Sequence, residues 1–189
     1  MARINSAEAE REAILEVARL MAVSARTAPK GRGQDSIKTL ILHGEDELEK
    51  LAKAMEERYA EVGERLQFFK RNADDVRKST AVLLIGVTGE PKKIESPLDC
   101  GACGKSCQAT LKAQKTDTGD ARGPMCLFQG FDLGIALGSA VKDASNYNVD
   151  NRMMYSIGAA ARRLKLIEAD FAVGIPLSAT GKNVYYTGR

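Results

Sequence analysis

The chain has 189 residues, of which 44% are hydrophobic and 28% charged, with a net charge of +3. That is the make-up of a single domain, residues 1–189, with enough apolar material for a core that needs no disulfide staples. Basic residues are interspersed with acids, aromatics are only 5% and Trp is absent, which argues against a nucleic-acid-binding stripe or a base-stacking platform.

In chain order, the opening stretch MARINSAEAEREAILEVARL is charged and helical in pattern. Asn5 with Glu8 reads as a capping box. Ile14, Val17, Ala18 and Met21 then recur on one helical face. The stretch lacks the apolar run and small-residue cleavage site of a secretory signal, and no apolar run in the chain approaches the ~20 residues of a membrane span. A cytoplasmic protein without membrane association is expected. SARTAPKGRGQDS, residues 24–36, carries Pro29, Gly31 and Gly33 and reads as a loop. IKTLILH, residues 37–43, is strand-like. Leu48, Leu51, Ala52, Met55 and Tyr59 mark a second helix, and a polar helical segment runs on to about Lys78. TAVLLIGVT, residues 80–88, is apolar almost throughout and predicts a central strand buried on both faces.

Residues 89–127 have little periodicity and read as an inserted cysteine-rich, metal-binding segment. Beyond it, Leu133, Ala136, Leu137, Ala140 and Val141 line one helix face, and Met154, Ile157, Ala161 and Leu164 another. ADFAVGIPL, residues 169–177, predicts a last buried strand, followed by a tail with a short strand at most. Helices alternating with strands give a layered α/β or α+β domain.

All four cysteines fall in or at the end of the insert, spaced Cys100-x2-Cys103-x3-Cys107-x18-Cys126. Thiols stay reduced in the cytoplasm, so four of them point to a metal centre rather than to disulfides. Three thiolates from a tight bend and a fourth from a distant segment suit a [4Fe–4S] cluster. Gly101 and Gly104 suit a bend that brings backbone close to an inorganic core. Structural zinc usually arrives on two C-x2-C knuckles; here the second knuckle is missing. Buried structural cysteines and a Cys100–Cys103 redox pair remain the other readings. With all four thiols spent on the metal, electron transfer or a structural role is favoured over Lewis-acid catalysis.

The single histidine, His43, sits at a strand end and makes a histidine-based triad a weak candidate. Two Gly/basic loops are candidate phosphate or cofactor contacts: Ala25–Gly33 through Arg26, Lys30 and Arg32, and Gly174–Asn183 through Ser178 and Lys182. Plain solvated connections are the competing reading for both.

The stretches LMAVSARTAPKGRGQDS, DCGACGKSC, DLGIALGSAVKDASNYNVDNRMMYSIGAAARRL and AVGIPLSATGKN resemble a family of uncharacterised prokaryotic proteins containing a ferredoxin domain. A second resemblance is to the FMN-dependent nitroreductases. Ala28-Pro29-Lys30-Gly31 before IKTLIL is similar to their loop before a strand, and the order of elements is similar too. That resemblance implies an α+β fold, a nitroreductase-like mixed sheet flanked by helices, and a homodimer holding FMN at the subunit interface. The chain departs from it where those enzymes grip the FMN phosphate: MARINSAE has no Arg-Arg-Ser-type counterpart, and Lys30 and a Gly-Arg-Gly-Gln run replace the Ser and Asn of the loop.

The combined expectation is an iron–sulfur redox protein. Cys100, Cys103, Cys107 and Cys126 would ligate one [4Fe–4S] cluster, and electrons would pass between a donor or acceptor protein and a flavin or small-molecule substrate. With FMN bound it would be an iron–sulfur flavin-dependent oxidoreductase. The alternative is a non-enzymatic ligand- or partner-binding protein with a structural or regulatory iron–sulfur or zinc site.

Overall fold

A computed structural model describes residues 3–186. Residues 1–2 and 187–189, the ends of the helix-patterned opening and of the tail, lie outside the described residues.

The elements follow the periodicities closely. Helix α1 (Ser6–Thr27) opens at Asn5, whose side-chain oxygen accepts the Glu8 N–H at 3.0 Å, and it buries Ile14, Val17, Ala18, Met21 and Ala25. Strand β1 (Ile37–His43), helices α2 (Glu45–Val62) and α3 (Gln67–Arg77) and strand β2 (Ala81–Val87) come next. The cysteine-rich segment holds the six-residue helix α4 (Cys107–Lys112) and the two-residue strands β3 (Thr116–Asp117) and β4 (Arg122–Gly123), which pair with each other. Helix α5 (Leu127–Asn146), the short β5 (Asp150–Asn151), helix α6 (Tyr155–Arg163) and β6 (Phe171–Ser178) complete the chain. The tail to Tyr186 is turn and loop rather than strand.

Four strands form one sheet in the order β1-β2-β6-β5. Every described pair is antiparallel, so the sheet expected to be mixed is not. The α+β class stands. β2 is central and buried along its whole length. Its alternate residues divide the core into two layers. Leu83, Ile85 and Val87, with Val173, Ile175 and Leu177 of β6, face α1 and α5. Val82 and Leu84, with Ala172, face α2, α3 and α6. This burial on both faces is why the β2 sequence is an unbroken apolar run.

Helix α6 lies directly on β6. A Cβ built on Gly158 would sit 1.9 Å from the carbonyl oxygen of Ala172, so only glycine permits this approach. Leu164, expected on the buried face of that helix, lies past its end and is exposed. Among the described residues, no helix is long and apolar enough to cross a membrane.

Candidate metal centre

The cysteines meet at the end of the sheet where β2 exits and β6 begins. Gly89, two residues beyond β2, is held on both sides. Its N–H donates to the buried carboxylate of Asp170 at 2.7 Å, and its carbonyl accepts the N–H of Cys126 at 2.7 Å. A Cβ on Gly89 would stand 2.5 Å from the Cβ of Met125, so the absence of a side chain lets the Met125–Cys126 segment lie against the β2 exit. Cys126 is thereby placed at the N-cap of the 20-residue α5, where exposed N–H groups and the helix dipole favour negative charge.

The other three cysteines come from the bend after Pro97. Gly101 (φ 73°) and Gly104 (φ 78°) both adopt the left-handed conformation, and the Gly104 N–H closes a turn on the Gly101 carbonyl at 2.8 Å. Asp99 accepts the Cys107 N–H at 2.6 Å. Ser106 caps α4 by accepting the Ala109 N–H. The Cys103 sulfur lies 3.1 Å from the Thr110 hydroxyl, which is buried. Cys107 and Cys126 are buried, Cys103 is half-buried and Cys100 exposed, and all four are free thiols.

These two pieces enclose one cavity of about 80 Å³ whose wall includes Cys100, Cys103, Cys107 and Cys126. Arg32, Lys92 and Lys105 add positive charge to the wall, and Leu98, Leu127 and Phe128 add apolar cover. The volume is several times the minimum of about 10–15 Å³ that admits one water molecule, more than one ion fills. Among the described residues no three side chains of His, Cys, Asp or Glu converge closely enough to hold a single metal ion. Four thiolates on one zinc would need sulfurs about 3.8 Å apart, given Zn–S bonds near 2.3 Å. Four thiols spread around a larger cavity fit a multi-atom inorganic core better than a lone ion. The Cys107 thiol is pushed above its usual range. A backbone hydrogen bond at Asp99 acts against this rise, and is outweighed by burial, the Asp99 carboxylate and Cys126. Loading a metal there therefore displaces protons.

The five cofactor candidates are not one group. Arg26 is engaged by the Asp35 carboxylate and by the Ile37 carbonyl at 2.9 Å. Lys30 donates to the carbonyls of Ala25 (2.7 Å) and Arg26 (2.5 Å) at the C-terminal end of α1, and burial lowers its pKa. Both cations are spent on their own loop and helix end. Arg32, in a left-handed backbone conformation, reaches the cysteine cavity. Ser178 is only 1% exposed and lies at the far end of β6, one residue past Leu177, which pairs with Ala81 of β2, whereas the cysteines lie beyond the Val87 end. Seven strand residues separate the two ends, about 20 Å at the rise of a strand. Lys182 is exposed in the tail beyond Ser178. The second Gly/basic loop is thus a strand exit remote from the thiols, and Ser178 is a core residue.

A buried polar network that no sequence motif announces lies behind the cavity. Lys92 (side chain 4% exposed) pairs with Asp132 (2%). Its ammonium also donates to the Gln34 carbonyl at 2.6 Å, and Asp132 accepts the Gly31 N–H at 2.8 Å. Gln129 links Ser36 to the Glu90 carbonyl. One trace was legible: Gln129 and Asp132 fall on the same α5 face as Leu133 and Ala136, where polar residues need partners.

A family model described as "uncharacterized protein containing a ferredoxin domain" matches residues 122–187, a span that includes Cys126 but not the other three cysteines. An uncharacterised protein of Archaeoglobus fulgidus is 45% identical over 184 residues, 97% of this chain and 96% of the relative. The chain belongs to this ferredoxin-domain family. Among solved structures, B. megaterium NfrA2 is 14% identical with a TM-score of 0.52, covering 92% of this chain. The chain spans only 61% of that protein's length. A Desulfovibrio desulfuricans protein described as a nitroreductase, solved in complex with FMN, is 13% identical with a TM-score of 0.55, covering 92% of this chain and 78% of that one. At such identities the likeness establishes the nitroreductase fold for this member of the family.

Proposed function

We propose that this protein is an iron–sulfur redox protein in which Cys100, Cys103, Cys107 and Cys126 hold one [4Fe–4S] cluster within the 89–127 insert. The observation that carries the reading is the shared cavity: thiols from two segments, brought together by the Gly89–Cys126 contact, surround a space larger than one ion. When bound, the cluster supplies single-electron transfer. The chain's own residues do the rest. Gly101 and Gly104 let the bend close, the N-terminus of α5 and the cations Arg32, Lys92 and Lys105 offset negative charge, and Leu98, Leu127 and Phe128 limit water.

The fold and the FMN of the Desulfovibrio neighbour support a second component, a flavin that receives or delivers the electrons, with Arg32 as the phosphate contact left free by the first loop. The partner in this scheme is a redox protein, and the chain itself is a homodimer. Leu20 and Val23 of α1 and Leu127, Phe131 and Ile135 of α5 are exposed, and α1 packs against α5; in this scheme a second copy covers these residues.

Oxygen-free purification followed by iron, acid-labile sulfide and flavin analysis tests the scheme. About four irons and four sulfides per chain are expected, with FMN released on denaturation. A Cys126→Ala chain should lose the iron. One zinc per chain and no labile sulfide would end the iron–sulfur reading; cluster without flavin would end only the flavin part.

A further inference from the structure

Three cations stand in the wall of the cysteine cavity, and they differ in environment. Arg32 and Lys105 are exposed, so water and salt screen them. Lys92 is buried, and its ammonium is fixed between the Asp132 carboxylate and the Gln34 carbonyl. It borders the polar network on one side and the four thiols on the other. A plain structural role accounts for the pairing, since the network ties the 31–36 loop and the Glu90–Lys93 segment to α5. It does not account for placing the cationic member of that network in the wall of a cavity lined by thiols, where an apolar pair of similar volume would hold the fold as well.

A four-thiolate iron–sulfur centre is a net anion, and taking up one electron makes it more negative. A cation fixed in a poorly screened wall stabilises the more negative state, and a carboxylate in the same place opposes it. We infer that Lys92 sets the reduction potential of the centre upward, and that Asp132, by holding the ammonium and partly cancelling its charge, limits that rise. Lys92 acts here as a positioning and electrostatic residue and ligates nothing. This rests on the iron–sulfur reading above.

The two members of the pair carry opposite charge, so their removal must move the potential in opposite directions. Any disturbance that merely loosens the site or admits water would move both the same way. The experiment is an anaerobic redox titration of the full-length loaded protein against a low-potential one-electron reductant, with iron and labile sulfide measured on each sample. Lys92→Met should lower the potential enough to shift the reduced-to-oxidised ratio at least tenfold at fixed potential, about 59 mV for one electron. Asp132→Asn should raise it. Lys92→Arg should restore most of the wild-type value. If Lys92→Met loses its metal because a buried Asp132 is left unpaired, the double variant Lys92→Met/Asp132→Leu restores an uncharged core. The double variant should then lie closer to wild type than Asp132→Asn does. Equal potentials across loaded variants, or a fall in Asp132→Asn, would overturn the inference while leaving the cluster in place. A wild-type chain with no labile sulfide would instead remove the iron–sulfur reading and the inference with it.

Discussion

Replacing Gly89 with Ala tests how the two halves of the cysteine cavity are held together. The added Cβ would lie 2.5 Å from the Cβ of Met125 and 3.2 Å from the Asp170 carboxylate. Carbon atoms rest at about 3.5–4.0 Å, so the Met125–Cys126 segment must retreat by about 1 Å. The atom it meets lies next to the backbone and cannot swing aside. Overpacking of this kind costs about 1–3 kcal/mol, and the stiffer unfolded chain returns about 0.4–1 kcal/mol. The net loss is about 1–2 kcal/mol, or about 2–8 °C in Tm for a chain of this length. The retreat stretches the 2.7 Å Cys126–Gly89 hydrogen bond and draws one thiol away from the other three. Thermal melting of the metal-free chain, with iron per chain after anaerobic reconstitution, reads both effects. A variant that melts as wild type does and takes up the full iron would show that this contact does not place Cys126.

Three further outcomes follow from the same structure. Gly158→Ala drives a Cβ into the backbone of β6, 1.9 Å from the Ala172 oxygen. It should cost about 3 kcal/mol although alanine gains about 1 kcal/mol in helix propensity; an unchanged urea midpoint would contradict the close helix–strand approach. The Tyr185 hydroxyl is pushed up to about 12 by burial, against the hydroxyls of Ser178 and Ser79. Because the folded-state value lies above the free value of 10.0, its stabilisation is complete below pH 10 and is lost as the pH climbs toward 12, roughly 3 kcal/mol in all. Tyr185→Phe should flatten that part of the stability–pH curve, and an equally steep alkaline loss in the variant would assign it to other groups. Phe131→Glu, on the exposed face of α5, should halve the mass measured by light scattering without changing iron content; a wild-type chain that runs as a monomer would refute the proposed dimer.

The sequence by itself determined the long helices, the three long strands and the list of thiols. Helical spacing of Ile14, Val17, Ala18 and Met21, the Asn5 cap and the unbroken apolar run of β2 are local signals, because period and burial are written into neighbouring residues. The clustering of Cys100, Cys103 and Cys107 with two glycines is equally local, and so is the bend it predicts, which Gly101 and Gly104 make in the left-handed conformation. Tertiary structure decided everything that joins distant segments. The approach of Cys126 to the bend depends on Gly89, whose role lies in a contact with residues 36 and 37 positions later. The separation of Ser178 and Lys182 from Arg32 depends on antiparallel register, which sends the two Gly/basic loops to opposite ends of the sheet. The pairing of Lys92 with Asp132 spans 40 positions, and no periodicity connects a loop lysine to a helix carboxylate until folding buries both and leaves each needing the other.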